Sequence, residues 1–289
     1  MLKPRASRRL QSLGLDLIAI VVVGILIFPV IWLYLTAFKP GSEMFRGPFA
    51  ILPAEVTFDN FARIWSAVGF QSAFRNSLIV AAASSLVVTL AGLGAAYSLS
   101  RFRYRLRPVF SGAILAVQMV PGIVIVVPLI LILRQLKLTD SLIGLTIAYL
   151  LLGLPIAVWM LKGYMDDIPP ELDEAATLDG ASPVQVLWQV IMPLMAPATV
   201  AVGAFAFLLA WGEYLFALSL LTSTEVRTLP LALQAAFGQY TIDWGMLTAG
   251  GVISRCRRRF SSSSSSAISS ADSPPVASRD RPLGVIRCA

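Results

Sequence analysis

Histidine is absent from the 289-residue chain, and its only cysteines, Cys256 and Cys288, lie beyond Ser254. Residues 1–254 therefore hold no imidazole base, no thiolate nucleophile, no disulfide and no His or Cys metal site. No Gly-Lys dipeptide occurs, which excludes the phosphate-cradling loop that ends in lysine. If this protein works against a gradient with ATP, another chain must bind the nucleotide. Charge is scarce as well. Only 13% of residues are charged, against about 25% in soluble domains.

What the chain has in place of charge is apolar surface. Hydrophobic residues make up 57% of it and mean hydropathy is +0.77, so the expected solvent is a bilayer. The formal charge of +7 belongs mostly to the end of the chain, where residues 255–289 hold seven arginines against two aspartates. That leaves +2 for residues 1–254, without the clustered basic face that nucleic-acid binding needs.

Hydrophobic runs long enough to cross about 30 Å of hydrocarbon fall at Leu17 to Phe38, Ser77 to Ser98, Val109 to Leu133, Ser141 to Leu161 and Leu194 to Leu220. The expected fold is all-α, a polytopic membrane helical bundle with five spans. The first run is too long for a cleaved signal peptide and lacks a small-residue cleavage site, so it reads as a retained helix. Pro29, Pro121, Gly122, Pro128, Gly153 and Pro155 punctuate the spans. Such breaks suit either packing kinks or a water-filled path.

Orientation follows from the short basic segments, because Lys and Arg resist translocation. Lys3, Arg5, Arg8 and Arg9 precede the first span, and Arg101, Arg103, Arg105 and Arg107 follow the second. Both groups mark the cytoplasmic side. The fourth span then delivers residues 163–192 to the cytoplasm, although that loop carries Asp166, Asp167, Glu171, Asp173, Glu174 and Asp179.

This loop has helical punctuation. Pro169, Pro170 and Glu171 suit the first turn of a helix. Leu172, Ala175 and Ala176 fall on one face, and Gly180 is placed to end the helix in a left-handed turn. Ser182 and Pro183 then open a second helix as N-cap and first residue, with Val184, Leu187, Trp188 and Ile191 as its apolar face. Those faces either pack on the protein's own spans or dock in a groove on a partner.

Glu174-Ala175-Ala176, three residues, Gly180, nine residues and then Val190-Ile191-Met192-Pro193 resembles the EAA loop of binding-protein-dependent ABC importer permeases. Val190 and Met192 are conservative departures from the usual Ile and Leu. Thr36-Ala37-Phe38-Lys39-Pro40, Phe74-Arg75-Asn76-Ser77, Ala95-Ala96-Tyr97 and Trp211-Gly212-Glu213-Tyr214 are similar to segments of the smaller permease of sugar importers of the maltose and glycerol-phosphate type. The resemblance implies a permease domain over residues 1–254 of a bacterial or archaeal cell-membrane importer, carrying a sugar or sugar derivative. Polyamine or peptide import is the alternative, since the loop is shared across substrates; a membrane scaffold or channel stands further off, as does an intramembrane enzyme.

The resemblance further implies two ABC ATPase subunits that bind the ATP and Mg, a second permease and an extracytoplasmic solute-binding protein. Glu174, Ala175, Ala176, Gly180, Val190, Met192 and Pro193 would form the contact with the ATPase. Trp211, Glu213 and Tyr214 would line a substrate path, because a carboxylate within a hydrophobic span is costly and a functional candidate. The opposing reading is that Glu213 sits solvated near the outer end of its span.

The family pattern calls for a sixth span after Gly245 to Ser254. Instead the chain reads Arg255-Cys256-Arg257-Arg258-Arg259-Phe260 and then six serines, a composition expected to be disordered. A reading-frame shift near Ser254 accounts for it, since Phe and Leu codons such as TTC and CTC read one base later become serine codons. A natural low-complexity tail is the alternative.

Overall fold

The computed structural model describes residues 5–44, 51–236 and 242–254. The tail at 255–289, and with it the frame-shift reading, lies outside the described residues. Every regular element of more than one residue among those described is a helix. In chain order these are α1 (Arg5–Ala37), α2 (Asp59–Ser66), α3 (Phe70–Arg101), α4 (Arg107–Met119), α5 (Gly122–Gln135), α6 (Leu142–Asp166) and α7 (Glu171–Leu178). They continue with α8 (Pro183–Gln185), a π-helical turn Val186–Ile191, α9 (Met192–Leu194), α10 (Ala196–Gly212), α11 (Leu215–Leu220) and α12 (Leu229–Ala232). Residues 244–254 form a further helix, just before the point after which the sixth span was expected.

Three of these helices are long and apolar enough to cross a membrane by themselves: Gly14–Ala37, Phe70–Arg101 and Leu142–Asp166. The shortest has 24 residues, about 36 Å of helix at 1.5 Å per residue. The other two expected spans are bent. Arg107–Met119 and Gly122–Gln135 meet at 106°, at the Val120–Pro121 step where proline removes a helical N–H and disfavours helix before it. Pro29, Pro128 and Pro155, by contrast, lie inside helices that continue through them.

The fifth expected span, Leu194 to Leu220, is not continuous. Its helix stops at Gly212, Glu213 is extended (φ −73°, ψ 133°), and α11 restarts at Leu215. The helical segment before it, Pro183–Leu194, meets α10 at 85°. The fourth span also overruns its expected end at Leu161, running on to Asp166, so the first residues of the 163–192 segment are the last turn of α6.

α3, α6 and α10 form the centre of the bundle, and small residues let them approach. A Cβ on Gly92 would lie 3.2 Å from the Ala157 Cβ, and Ser85 Oγ donates to the Gly203 carbonyl at 2.6 Å. Close contact of small side chains with occasional interhelical hydrogen bonds is how helices associate where lipid is as apolar as leucine. Two apolar clusters result. One, around Phe70, Tyr149, Trp211 and Leu229, packs the half away from the α7–α9 loop; the other, around Leu93, Tyr97, Leu161, Met165, Ile191 and Met195, packs the half that receives that loop.

Polar side chains brace the end of the bundle away from the α7–α9 loop. Asn60 Nδ2 donates to the carbonyls of Ala37 and Lys39 at 3.1 and 2.7 Å, and the Lys39 ammonium sits 5.2 Å over the Trp32 ring. Asn76 Nδ2 donates to the carbonyls of Glu225 and Arg227 at 2.7 and 3.1 Å, while Ser77 Oγ accepts the Leu229 N–H at 2.7 Å. Two of the short segments singled out in the sequence, 36–40 and 74–77, thus hold loops on the helix ends at that side of the bundle.

Candidate functional site

The loop between α6 and α10 is built by local turn chemistry. Gly180 takes φ +91°, a left-handed conformation that costs an L-residue with a Cβ. Around it the Gly180 N–H donates to the Thr177 carbonyl at 3.0 Å and the Ala181 N–H to the Ala176 carbonyl at 3.0 Å, the paired bonds of a Schellman helix end. Ser182 then caps the next helix: its Oγ accepts the Gln185 N–H at 3.4 Å, and Gln185 Oε1 accepts the Ser182 N–H at 2.8 Å. Pro183 occupies the first helical position, as expected.

The buried faces differ from the expected ones. In α7 the inward residues are Asp173 and Ala176, both half-buried, while Leu172 and Ala175 are exposed. In the following helix Val184 and Trp188 are exposed, and Val186, Leu187 and Ile191 are buried. The reason is the π turn over Val186–Ile191: a five-residue repeat aligns Val186 with Ile191, where an α-helix would have aligned Leu187 or Trp188 with Ile191.

Consequently the loop has two sides. Its inner side joins the cluster around Tyr97, Leu161 and Met165, with Ile168, Ala176, Ala181 and Met192 packed against it. Its outer side presents Glu171, Glu174, Ala175 and Leu178, which share one face of α7 at helical spacing. Leu178 is 89% exposed, Val184 66% and Trp188 44%. Of the residues expected to make the partner contact, Glu174, Ala175, Gly180 and Pro193 are exposed, whereas Ala176, Val190 and Met192 are half-buried.

An ion pair that sequence reasoning missed ties this loop to the bundle. Arg101, the last residue of α3, places Nε 2.6 Å from Asp173 Oδ2 and donates from Nη2 to the Ile168 carbonyl at 2.8 Å. Both side chains are nearly buried, at 12% and 15% exposure. The preceding Ser100 donates to Asp166 Oδ1 at 2.6 Å, and Asp166 also pairs with Lys162. The arginines of this hairpin were legible as a topology signal; that one of them meets an acid 72 positions later was not.

The three residues expected to line a substrate path are not brought onto one surface. Trp211 is 1% exposed, stacked on Phe207 with ring centroids 5.7 Å apart and edge-on to Phe74 at 5.7 Å, and it donates from Nε1 to Ser254 Oγ at 3.2 Å. Glu213 sits at the break between α10 and α11, where its carboxylate accepts the N–H groups of Phe216 and Ala217. It also faces the buried hydroxyl of Tyr149. Tyr214 is exposed, contacts Gln234 and lines an open pocket of about 550 Å³ with Pro230 and Leu233. A second pocket of about 310 Å³ lies at the 106° bend, lined by Gln118, Val120, Gly122, Ile156 and Leu209.

Broken spans around a small-residue core, with a helical loop whose outer side is open, are the architecture of a polytopic membrane protein. Residues 88–254 match the family described as binding-protein-dependent transport system inner membrane component, and this chain belongs to that family. It is 35% identical over 231 residues to the inner membrane ABC transporter permease protein YcjP of Escherichia coli strain K12, covering 79% of this chain and 82% of that one. It is 34% identical over 234 residues to the trehalose transport system permease protein SugB of Mycobacterium tuberculosis, covering 80% and 85%. Among solved structures it is similar to a chain of a bacterial ABC transporter involved in the import of the acidic polysaccharide alginate. There the TM-score is 0.79 at 21% identity, over 92% of this chain and 99% of that chain. That likeness shows the fold.

Proposed function

We propose that this permease carries a sugar or sugar derivative, and that residues 163–192 couple it to ABC ATPase subunits which bind the ATP and Mg in its place. The observation that carries the coupling role is the two-sided loop. Its inner side is buried in the bundle, yet Leu178, Val184 and Trp188 stay exposed, as do Glu171 and Glu174. Apolar helix residues left uncovered at the end of a bundle are what helix-in-groove docking uses, and the φ +91° turn at Gly180 separates the two helices that carry them. Sugar as cargo is supported by relatives named for trehalose, sulfoquinovosyl glycerol and diacetylchitobiose transport.

The same reading makes residues 1–254 the permease domain, in a bacterial or archaeal cell membrane, with the N-terminus and the α7–α9 loop cytoplasmic. A second permease and an extracytoplasmic binding protein complete the complex. The alginate importer, solved with a pentasaccharide-bound periplasmic protein and similar here in fold (TM-score 0.69), is consistent with the latter. A solute path past the α10–α11 break is supported by Tyr214, which lines the open pocket there with Gln234, whereas the Glu213 carboxylate is engaged by the N–H groups of Phe216 and Ala217.

Co-purification with candidate ATPase subunits tests the coupling role. The native chain is expected to retain them, whereas Glu174→Lys and Gly180→Pro, still inserted in the membrane, lose them. Equal retention by all three would mean that the loop has no docking role.

A further inference from the structure

We infer that Arg101 is a positioning residue that joins the coupling helix α7 to the core helix α3, so that force applied at the loop moves α3 instead of being lost in the linker. The inference rests on the docking role proposed for this loop.

α7 hangs between two non-helical joints. On one side are Ile168, Pro169 and Pro170, none of them in a helix, and on the other is the left-handed turn at Gly180. Apolar burial holds it loosely, since Ala176 is the residue of α7 that packs on the inner cluster. Arg101 supplies what packing does not. One guanidinium spans the linker and the helix, holding the Ile168 carbonyl through Nη2 at 2.8 Å and the Asp173 carboxylate at Nε at 2.6 Å. A planar fork can hold two acceptors at once, which an ammonium on a flexible stem does poorly. The contact is nearly buried, so it is screened less than a surface pair and loss of one partner strands the other charge.

The far side of this clamp is the longest core helix. α3 runs from Phe70 to Arg101, packs along α6 and α10, and at its other end holds the outer loop through Asn76 and Ser77. Ser100 adds a second tie, to Asp166 at the end of α6. A displacement of α7 is therefore delivered through Arg101 to a helix that reaches the outer surface.

The test uses the assembled complex in membranes, with Cys256 and Cys288 replaced by serine and Tyr214→Cys as reporter at the outer break. The rate of labelling by a membrane-impermeant maleimide is measured without nucleotide and with ATP plus vanadate, and ATPase co-purification is measured on the same samples. The native clamp should give a nucleotide-dependent change of about fivefold or more, the lower end of ordinary coupling between sites. Arg101→Ala should keep the ATPase bound but lose most of that change, and Asp173→Asn, which leaves the Ile168 carbonyl its donor but removes the ion pair, should lose at least half of it. A full response in Arg101→Ala overturns the inference. Should Arg101→Ala fail to insert, Asp173→Asn decides: an inserted Asp173→Asn chain with ATPase bound and a full response also overturns it. Failure of the docking role itself reads differently, as ATPase retention that Glu174→Lys does not alter.

Discussion

Both carboxylate oxygens of Glu213 accept the Phe216 N–H, at 3.0 and 3.1 Å, which makes this acid the cap of α11 in the half of the bundle away from the α7–α9 loop. A helix that restarts inside a membrane protein leaves orphan N–H groups that lipid cannot satisfy. Glu213 answers that need, and this gives the intramembrane carboxylate a structural reason to exist. Glu213→Gln keeps an acceptor oxygen and is expected to fold and insert normally. Glu213→Ala removes it and should destabilise the protein by about 1–2 kcal/mol. Thermal unfolding of the detergent-purified chain, read against solute uptake, checks both. Uptake lost in the Gln variant with stability intact would mean that the charge meets solute as well.

The two sides of the loop give opposite expectations for substitutions of similar size. Ile191 is fully buried, so Ile191→Ala should cost about 2–5 kcal/mol and reduce the amount of inserted protein. Leu178 is 89% exposed, so Leu178→Glu should leave stability within about 0.5 kcal/mol while weakening ATPase retention. Fluorescence-detected size exclusion and co-purification on the two variants separate folding from docking. Equal loss of folding in both would show that the outer side is covered within the chain.

Much of this loop was legible because its signals are local. A glycine two residues before Ser-Pro ends one helix and begins the next whatever lies around it, and the structure has both caps there. The buried face was legible only in part. Helical spacing pointed to Val184, Leu187, Trp188 and Ile191, of which Leu187 and Ile191 are buried and Val184 and Trp188 exposed; a π turn changes the repeat, and no residue within Val186–Ile191 announces one. The spans show the same division. Pro121 and Gly122 marked a real 106° break, whereas the break at Glu213 was hidden inside an apolar run that continues on both sides of it. Arg101–Asp173 and Asp140–Ser223 join residues far apart in sequence, and their pairing exists only once α3, α6 and α11 are packed.

At Gly180 the cost of substitution should be purely a matter of backbone. A Cβ there would meet nothing within 4 Å, yet φ is +91°. Gly180→Asn, a residue that tolerates the left-handed region, is expected to retain more ATPase than Gly180→Val, whose branched side chain does not. The difference should be about 1–2 kcal/mol in the helix-ending turn, measured as retained ATPase at equal insertion. Identical behaviour of the two would place the loop's corner in another conformation when docked.

Asp140 makes a pH-dependent tie between the start of α6 and the segment after α11. It lies just before α6 at φ +53°, and its carboxylate accepts the N–H groups of Thr222 and Ser223 at 2.8 and 3.0 Å together with the Ser223 hydroxyl. The Ser223 hydroxyl is the largest influence, and with the backbone donors it lowers the Asp140 pKa from 3.8 to about 2. A folded value below the unfolded one means that the tie stabilises fully above about pH 4 and is lost as pH falls through about 2. Hydrogen exchange of residues 220–226 should therefore accelerate over that window in the native chain. Asn tolerates the same backbone conformation but cannot ionise. Asp140→Asn should exchange faster at neutral pH and show no acceleration between about pH 4 and 2. Parallel acid profiles for the two proteins would assign the titration to another carboxylate and remove Asp140 from the account.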